Sequence, residues 1–359
     1  MINLNQPIKP DLERLTKYLL QVNESGWYTN FGPLHQQLTQ RLENYLGVEN
    51  LLLVSNGTLA LQVAYKTLNV KKAVTTPFSF VATASSLIWE DIETFFCDID
   101  RESYNLSPEK VQQALDDNSE IDTVVATHVY GNPCNVNHFE RLSQKNNVKI
   151  IYDAAHAFGI NVGSESVLNF GDASTLSFHA TKLFHTVEGG AIVFKHKADF
   201  ERAKRLINFG MDKSSNISEA GINAKLNEYQ CAVGLTNLDI VDEIIKHRVN
   251  LYEIYRVGLK GLVKIQAWSE SSSKNGAYMA IDVQTEENVQ ELTQLLSESN
   301  IQSRRYFTPS LEQVFANQFS FGCERSAELT KGIMCLPLHF YMSSEDVYRV
   351  IDVIKRWLK

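Results

Sequence analysis

Short apolar runs alternate with helical segments from about residue 48 to residue 195, and this alternation constrains the fold more than any other feature. Strands that are continuously apolar, each followed by a helix, form parallel sheets with both faces covered. The predicted helices include Leu59–Leu68 and Pro108–Leu115. A doubly wound α/β core is therefore expected. The predicted strands are Asn50–Ser55, Ala73–Thr76, Thr94–Cys97, Thr123–His128, Lys149–Tyr152, Thr175–Phe178 and Ala191–Phe194.

A different pattern begins after Asn227. A long helical stretch over residues 228–259 leads to a predicted strand at Ala277–Val283, a helix at Asn288–Ser297 and an amphipathic closing helix at Ser344–Leu358. We therefore divide the 359 residues into a large domain, residues 1–240, and a smaller α+β domain, residues 241–359. The N-terminal helix is a candidate to pack on the smaller domain.

Composition excludes several classes of protein. The net charge is −8 and no concentrated run of lysine and arginine occurs, so nucleic acid is not an expected partner. No apolar stretch reaches the roughly 18 residues that a membrane helix needs, and the polar N-terminus lacks a secretory signal pattern. The 5 cysteines are scattered without a C-x-x-C pair, which argues against disulfides and a metal site. These features predict a cytoplasmic protein with reduced thiols.

Three segments at predicted strand ends offer reactive groups, and ligands of such sheets bind beyond the carboxyl ends of the strands. Residues Ser55–Thr58 precede a helix, whose N-terminus suits a phosphate. Asp153 provides a carboxylate for a cationic ring nitrogen, and Lys182 provides an amine for a Schiff base with an aldehyde. Together these groups match pyridoxal 5′-phosphate. Taken singly, they are also compatible with a helix cap, a capping carboxylate and a surface lysine.

Ser177–Gly190 (SFHATKLFHTVEGG) is the most specific of the segments around these groups. Together these segments resemble the DegT/DnrJ/StrS family of sugar aminotransferases, which are fold-type-I pyridoxal-phosphate enzymes that aminate nucleotide-linked keto sugars. The resemblance implies a large, mostly parallel sheet sandwiched by helices and a smaller C-terminal α+β domain. The other similar segments are Val54–Leu61, Tyr152–Gly159, Gly26–Pro33, Pro77–Thr83, Val129–Pro133, Gly221–Gln230 and Leu336–His339.

The resemblance also implies roles around the cofactor ring. Lys182 matches the lysine that forms the Schiff base, and Asp153 matches the partner of the pyridine nitrogen. His156 corresponds to the residue that hydrogen-bonds the phenolic oxygen of the cofactor. Phe80 falls where the family places an aromatic ring stacked on the pyridine, and its alternative role is that of a core residue.

For the phosphate, the resemblance implies Gly57, Thr58 and Ser177 as ligands. Asn223 matches an asparagine that reaches the phosphate from the other subunit, so a homodimer with shared sites is expected. The alternative for Asn223 is a loop or helix-cap role. Lys225–Leu226 stands where the family has Arg-Met, which leaves the contacts of this loop open.

Candidate sugar-binding residues lie in two segments. Arg304, Arg305 and Tyr306 lie in the predicted small domain, where an arginine could pair with a diphosphate and an aromatic ring could line a sugar pocket. The two arginines could equally be solvated ion-pair partners. Tyr28 and Asn30 match a segment near the nucleotide-sugar site of relatives.

The expected activity is transfer of an amino group, and L-glutamate is the usual donor in this family. Several segments are most similar to members that make dTDP-4-amino-4,6-dideoxyglucose from the 4-keto-6-deoxy sugar for bacterial surface polysaccharide. The alternatives are a 3-keto sugar aminotransferase, a pyridoxal-phosphate-dependent sugar dehydratase and a catalytically silent partner subunit. Dehydratases of this family have histidine in place of the Schiff-base lysine, so Lys182 favours transamination. The segments most similar to the members that make dTDP-4-amino-4,6-dideoxyglucose are Thr76–Glu90, His128–Cys134 and Ser303–Pro309.

Overall fold

Thirteen α-helices and thirteen β-strands are distributed over residues 1–359, all of which the computed structural model describes. The helices are α1 (Leu12–Ser25), α2 (Pro33–Leu46), α3 (Gly57–Leu68), α4 (Val81–Trp89), α5 (Pro108–Asp117), α6 (Val136–Asn146), α7 (Lys197–Leu206), α8 (Glu228–Leu238), α9 (Val241–Gly258), α10 (Glu286–Glu298), α11 (Leu311–Val314), α12 (Glu324–Gly332) and α13 (Ser344–Trp357). The strands are β1 (Leu51–Val54), β2 (Lys72–Thr75), β3 (Glu93–Phe96), β4 (Thr123–Thr127), β5 (Lys149–Asp153), β6 (Asn161–Val162), β7 (Glu165–Ser166), β8 (Ala173–Ser177), β9 (Gly190–Phe194), β10 (Lys264–Ile265), β11 (Met279–Asp282), β12 (Phe319–Ser320) and β13 (Ile333–Leu336).

Eight strands form one large sheet in the order β1-β9-β8-β5-β4-β2-β3-β12. All neighbours from β8 to β12 are parallel, whereas β9 runs antiparallel to both β1 and β8. The connection from β8 to β9 contains no helix, so the chain does not cross over to a parallel position. The predicted mostly parallel α/β sheet is confirmed, with all seven predicted strands present.

The direction of these strands determines where functional groups meet. Strands β1, β2, β4, β5 and β8 point the same way, so their carboxyl ends lie along one edge of the sheet. Asp153 is the last residue of β5, and Ser177 is the last residue of β8. Gly57 begins α3 just after β1, and Val81 begins α4 after β2.

The second part of the chain builds a three-stranded antiparallel sheet in the order β10-β11-β13. Its apolar core of 21 buried residues is separate from the 43-residue core of the large sheet. Apart from Ile2, the smaller core extends from Leu251 to Ile354. We propose the division near residue 240 on the basis of these two cores. Strand β12 was not predicted from the sequence. It lies in the C-terminal part of the chain and pairs with β3 of the large sheet, and such a distant pairing is not visible in a local pattern.

Two expectations from the sequence are wrong in detail. The helical stretch over residues 228–259 is two helices, α8 and α9, which are separated at Asp239–Ile240. Helix α1 packs on α8 of the large domain, because its apolar stripe of Leu15, Leu19 and Val22 joins the larger core. The extended arm before α1 contacts the smaller domain, where Ile2 pairs with Ile301.

The five cysteine side chains are all buried and free, as expected for packed thiols. None of the helices combines the length and the apolar composition that crossing a lipid bilayer requires.

Candidate active site

A cavity of about 350 Å³ lies at the carboxyl ends of the large sheet. It is lined by 21 residues, which come from both the large and the smaller domain. Nine of the residues predicted from the sequence line it: Gly57, Thr58, Phe80, Asp153, His156, Ser177, Lys182, Arg304 and Tyr306.

Asp153 is a buried carboxylate in a network of hydroxyl groups. Its Oδ2 accepts a hydrogen bond of 2.6 Å from Thr83 Oγ1, and its Oδ1 accepts one of 3.1 Å from the Ala155 backbone N–H. Thr83 Oγ1 also lies 2.7 Å from Ser79 Oγ, which lies 3.0 Å from Thr127 Oγ1. Burial raises the pKa of Asp153, while the two hydrogen bonds and the positive charge of Lys182 oppose this rise. The site therefore contains a carboxylate that benefits from a cationic partner.

Lys182 extends into the same cavity from the loop after β8. Burial lowers the pKa of its ammonium group to about 8, and the Asp153 carboxylate opposes this shift. A larger fraction of its amine is therefore unprotonated near neutral pH than in an ordinary lysine, and a nucleophile or a general base requires the unprotonated form.

His156 provides an unused polar atom in the cavity wall. The side chain is buried, and its Nδ1 has no hydrogen-bond partner. Burial lowers its pKa well below the ordinary value, so the ring is neutral. Phe307 lies parallel to the imidazole with ring centroids 5.7 Å apart, and Tyr278 meets it edge-on at 4.8 Å. Two residues of the smaller domain therefore hold this ring in place.

The N-terminus of α3 forms the phosphate end of the cavity. Asn56 caps the helix, since its side chain accepts a 2.8 Å hydrogen bond from the Leu59 N–H. The first N–H groups of a helix have no acceptor within the helix and favour anions. Gly57 and Ser177 are so close that a Cβ at Gly57 would lie 2.8 Å from the Ser177 Cβ. This close approach requires glycine and leaves a cradle for an anion beside Thr58.

These groups fit pyridoxal 5′-phosphate at each of its polar ends. The α3 cradle suits the phosphate, Asp153 suits the pyridine nitrogen, Lys182 suits the aldehyde, and the free Nδ1 of His156 suits the phenolic oxygen. A site of this composition at this sheet edge defines a pyridoxal-phosphate-dependent enzyme.

The chain belongs to the DegT/DnrJ/EryC1/StrS aminotransferase family, which it matches over residues 11–355. It is a sugar aminotransferase that depends on pyridoxal phosphate.

Individual relatives span nearly the whole chain. A dTDP-4-amino-4,6-dideoxy-D-glucose transaminase from Shigella dysenteriae is 39% identical, with 99% of this chain and 98% of the relative covered. One of the same name from Escherichia coli is 30% identical, with 98% of both chains covered. The crystal structure of DesI in the presence of its TDP-sugar product has a TM-score of 0.93 at 27% identity, with 99% of this chain and 93% of DesI covered. These matches confirm the predicted fold class and the predicted family.

Four residues predicted from the sequence lie outside the cavity. Asn223, Tyr28 and Asn30 are exposed, and Tyr28 packs against Tyr229 with ring centroids 5.9 Å apart. Arg305 pairs with Glu286 at 2.8 Å and donates to the Thr330 carbonyl oxygen.

Other residues at the site were missed by the sequence analysis. Ser79 lies just before α4 and Thr83 lies in its first turn, four residues further on, and this spacing of hydroxyls after a strand end is a usable signal. Tyr278 reaches the site from the smaller domain, and nothing in its local sequence indicates it. Phe307 directly follows the predicted sugar-site residues, so its segment was identified, but its stacking on His156 was not predicted.

Proposed function

We propose that this chain transfers the amino group of L-glutamate to a dTDP-linked 4-keto-6-deoxyhexose and forms dTDP-4-amino-4,6-dideoxyglucose for a bacterial surface polysaccharide. The observation that supports the reaction class is the placement of Lys182 and Asp153 in one cavity beside an anion cradle. Support for the sugar comes from the 39% identity to the Shigella dysenteriae transaminase over nearly its full length.

Each residue of the cavity has its own role in the proposed amino transfer. Pyridoxal phosphate, when bound, supplies an electron sink for the carbon that loses a proton. The ionised carboxylate of Asp153 would keep the proton on the pyridine nitrogen, and Lys182 Nζ would take the proton from the α-carbon of the donor. Gly57, Thr58 and Ser177 would bind the phosphate, and Phe80 would pack against the ring.

Arg304 is the arginine we assign to the diphosphate of the sugar substrate. Its guanidinium lies 4.9 Å from the ring centroid of Tyr306, and both side chains line the cavity. Arg305 is engaged with Glu286 instead, so its contribution to the sugar site is to support this segment.

A homodimer with shared sites would bring in the remaining predicted residues. Asn223, Tyr28 and Asn30 are exposed, and large apolar side chains are exposed in the same segments. Trp27 and Ile222 are 50% and 44% exposed, which suits a surface that a second copy covers. In that assembly Asn223 would reach the cofactor phosphate in the site of the partner subunit. The buried free thiols are compatible with a cytoplasmic location, which we also propose.

The direct test is a panel of nucleotide-linked 4-keto and 3-keto sugars, incubated with the holoprotein and L-glutamate. Product mass and NMR then identify the aminated carbon. We expect a 4-amino product from the dTDP-linked 4-keto-6-deoxy sugar. Amination at C3 would show that the substrate is a 3-keto sugar and contradict the proposed one. Loss of a hydroxyl group from the sugar without amino transfer would indicate a dehydratase.

A further inference from the structure

A second, narrower cavity lies beside the first and shares the Lys182 side chain with it. Its volume is about 40 Å³, enough for the carboxylate end of a small molecule whose other end lies in the first cavity, but too small for a sugar. Apolar side chains make up much of its wall, including Leu183, Leu336 and Leu338. Arg248 of α9 is also part of this wall.

Arg248 is a buried cation without an acidic partner. Only 4% of the residue is exposed. Its Nε and Nη2 each donate a 2.9 Å hydrogen bond to a backbone carbonyl, those of Gly276 and Ala277. No carboxylate of the chain forms an ion pair with it, and burial lowers its pKa to about 10. Because a guanidinium has five N–H groups, donors remain after these two bonds are made.

An unpaired buried charge is costly, and a carboxylate that binds beside it removes much of that cost. The established reaction class needs an amino donor, and L-glutamate has two carboxylates joined by methylene groups. The leucine side chains of the cavity suit the methylene groups, and the guanidinium suits a carboxylate. Lys182 faces the same cavity, and in the proposed function its Nζ takes the proton from the α-carbon of the donor.

We propose that Arg248 binds a carboxylate of the amino donor in this second cavity. The proposal rests on the proposed function, which places the donor at Lys182. It separates the two substrates spatially, since the donor carboxylate lies at Arg248 and the sugar diphosphate lies at Arg304.

Binding of glutarate to the holoprotein, measured by isothermal titration calorimetry, tests the proposal without turnover. Glutarate is a dicarboxylate of the same length as L-glutamate and lacks the amino group. In Arg248→Lys and Arg248→Gln the affinity for glutarate should fall by about 10- to 150-fold, as expected for a charged hydrogen bond. The matched control is Arg202→Lys, because Arg202 also donates to a backbone carbonyl, that of Thr67, but lies outside both cavities. This control should bind glutarate as the wild type does.

The two half-reactions distinguish binding from a structural role. In the Arg248 variants, conversion of the cofactor by L-glutamate should show a raised KM, while conversion by the amino sugar should keep its wild-type KM. Unchanged glutarate affinity, or equal losses in both half-reactions together with a lowered Tm, would overturn the proposal.

A crystal structure of the wild-type holoprotein with glutarate covers the case in which neither variant folds. A carboxylate within about 3.2 Å of an Arg248 nitrogen is expected, and glutarate bound elsewhere would overturn the proposal. If the wild type aminates no keto sugar, the proposed function fails, but the glutarate measurements still decide the role of Arg248.

Discussion

Replacement of Thr83 by valine removes one hydrogen bond from Asp153 and leaves the packing nearly unchanged. Thr83 is completely buried and donates to Asp153 Oδ2 at 2.6 Å, while Ala155 donates to the other oxygen at 3.1 Å. Valine has nearly the same shape but no hydroxyl group. Ser79 loses one neighbour and retains Thr127 at 3.0 Å.

The size of the effect follows from the charge on the acceptor. A hydrogen bond to a charged group contributes about 1.5–3 kcal/mol, which corresponds to roughly a 10- to 150-fold change in an equilibrium constant. Thr83 stabilises the ionised form of Asp153, so its removal raises the pKa of this carboxyl further above the ordinary value. Pyridoxal phosphate needs the ionised form as the partner of its ring nitrogen. The affinity loss should therefore be greatest at low pH and disappear at high pH, where Asp153 is already ionised without the cofactor.

The assay is the dissociation constant of pyridoxal phosphate, measured by titration of the apoprotein across a range of pH. The matched control is Thr236→Val, because Thr236 is also buried and donates its hydroxyl to a backbone carbonyl, that of Ala232, at 2.8 Å. The control should bind the cofactor as the wild type does at every pH. An affinity of Thr83→Val equal to that of the wild type at low pH would refute the reasoning, as would an equal loss in the control.

Three further predictions concern the cofactor site and the dimer. Because burial raises the pKa of Asp153, ionisation of this carboxyl destabilises the folded apoprotein as pH rises from 3.8 to the raised folded pKa, so the Tm of Asp153→Asn relative to that of the wild type should increase across this window; a pH-independent difference would contradict this. Gly57→Ala should weaken cofactor binding, measured by titration of the apoprotein, because the new Cβ would lie 2.8 Å from the Ser177 Cβ; an affinity equal to that of the wild type would contradict the close approach. Co-expressed Lys182→Ala and Asn223→Asp chains should regain activity at about a quarter of all sites, since half of randomly formed dimers are mixed and each has one intact site. Mixed dimers as inactive as both parents would exclude the shared site.

The parts of the fold that the sequence predicted are local. Each large-sheet strand is a short apolar run, so its position follows from a few adjacent residues. Asp153 and Lys182 could be identified because both follow such runs. The antiparallel direction of β9 and the return of β12 depend on how distant segments meet, and short runs of residues do not specify this.

The support around the reactive groups could not be predicted for the same reason. Thr83 reaches Asp153 across 70 positions of the chain, and Phe307 reaches His156 from the other domain. Arg248 lies on a helix whose sequence has an ordinary amphipathic pattern, so only the packing of the two domains shows that it borders the cavity. The reactive residues follow local patterns, whereas the residues that tune them depend on tertiary contacts.

Chemical labelling of the lysine that holds the cofactor tests the central claim most directly. Borohydride reduces the Schiff base between pyridoxal phosphate and its lysine to a stable secondary amine. Mass spectrometry of a digest then locates the modified residue. The account predicts one pyridoxyl group on Lys182, and no label on this residue when L-glutamate is added before the reduction. A label on another lysine, or a Lys182 peptide without a label in the absence of L-glutamate, would contradict the account.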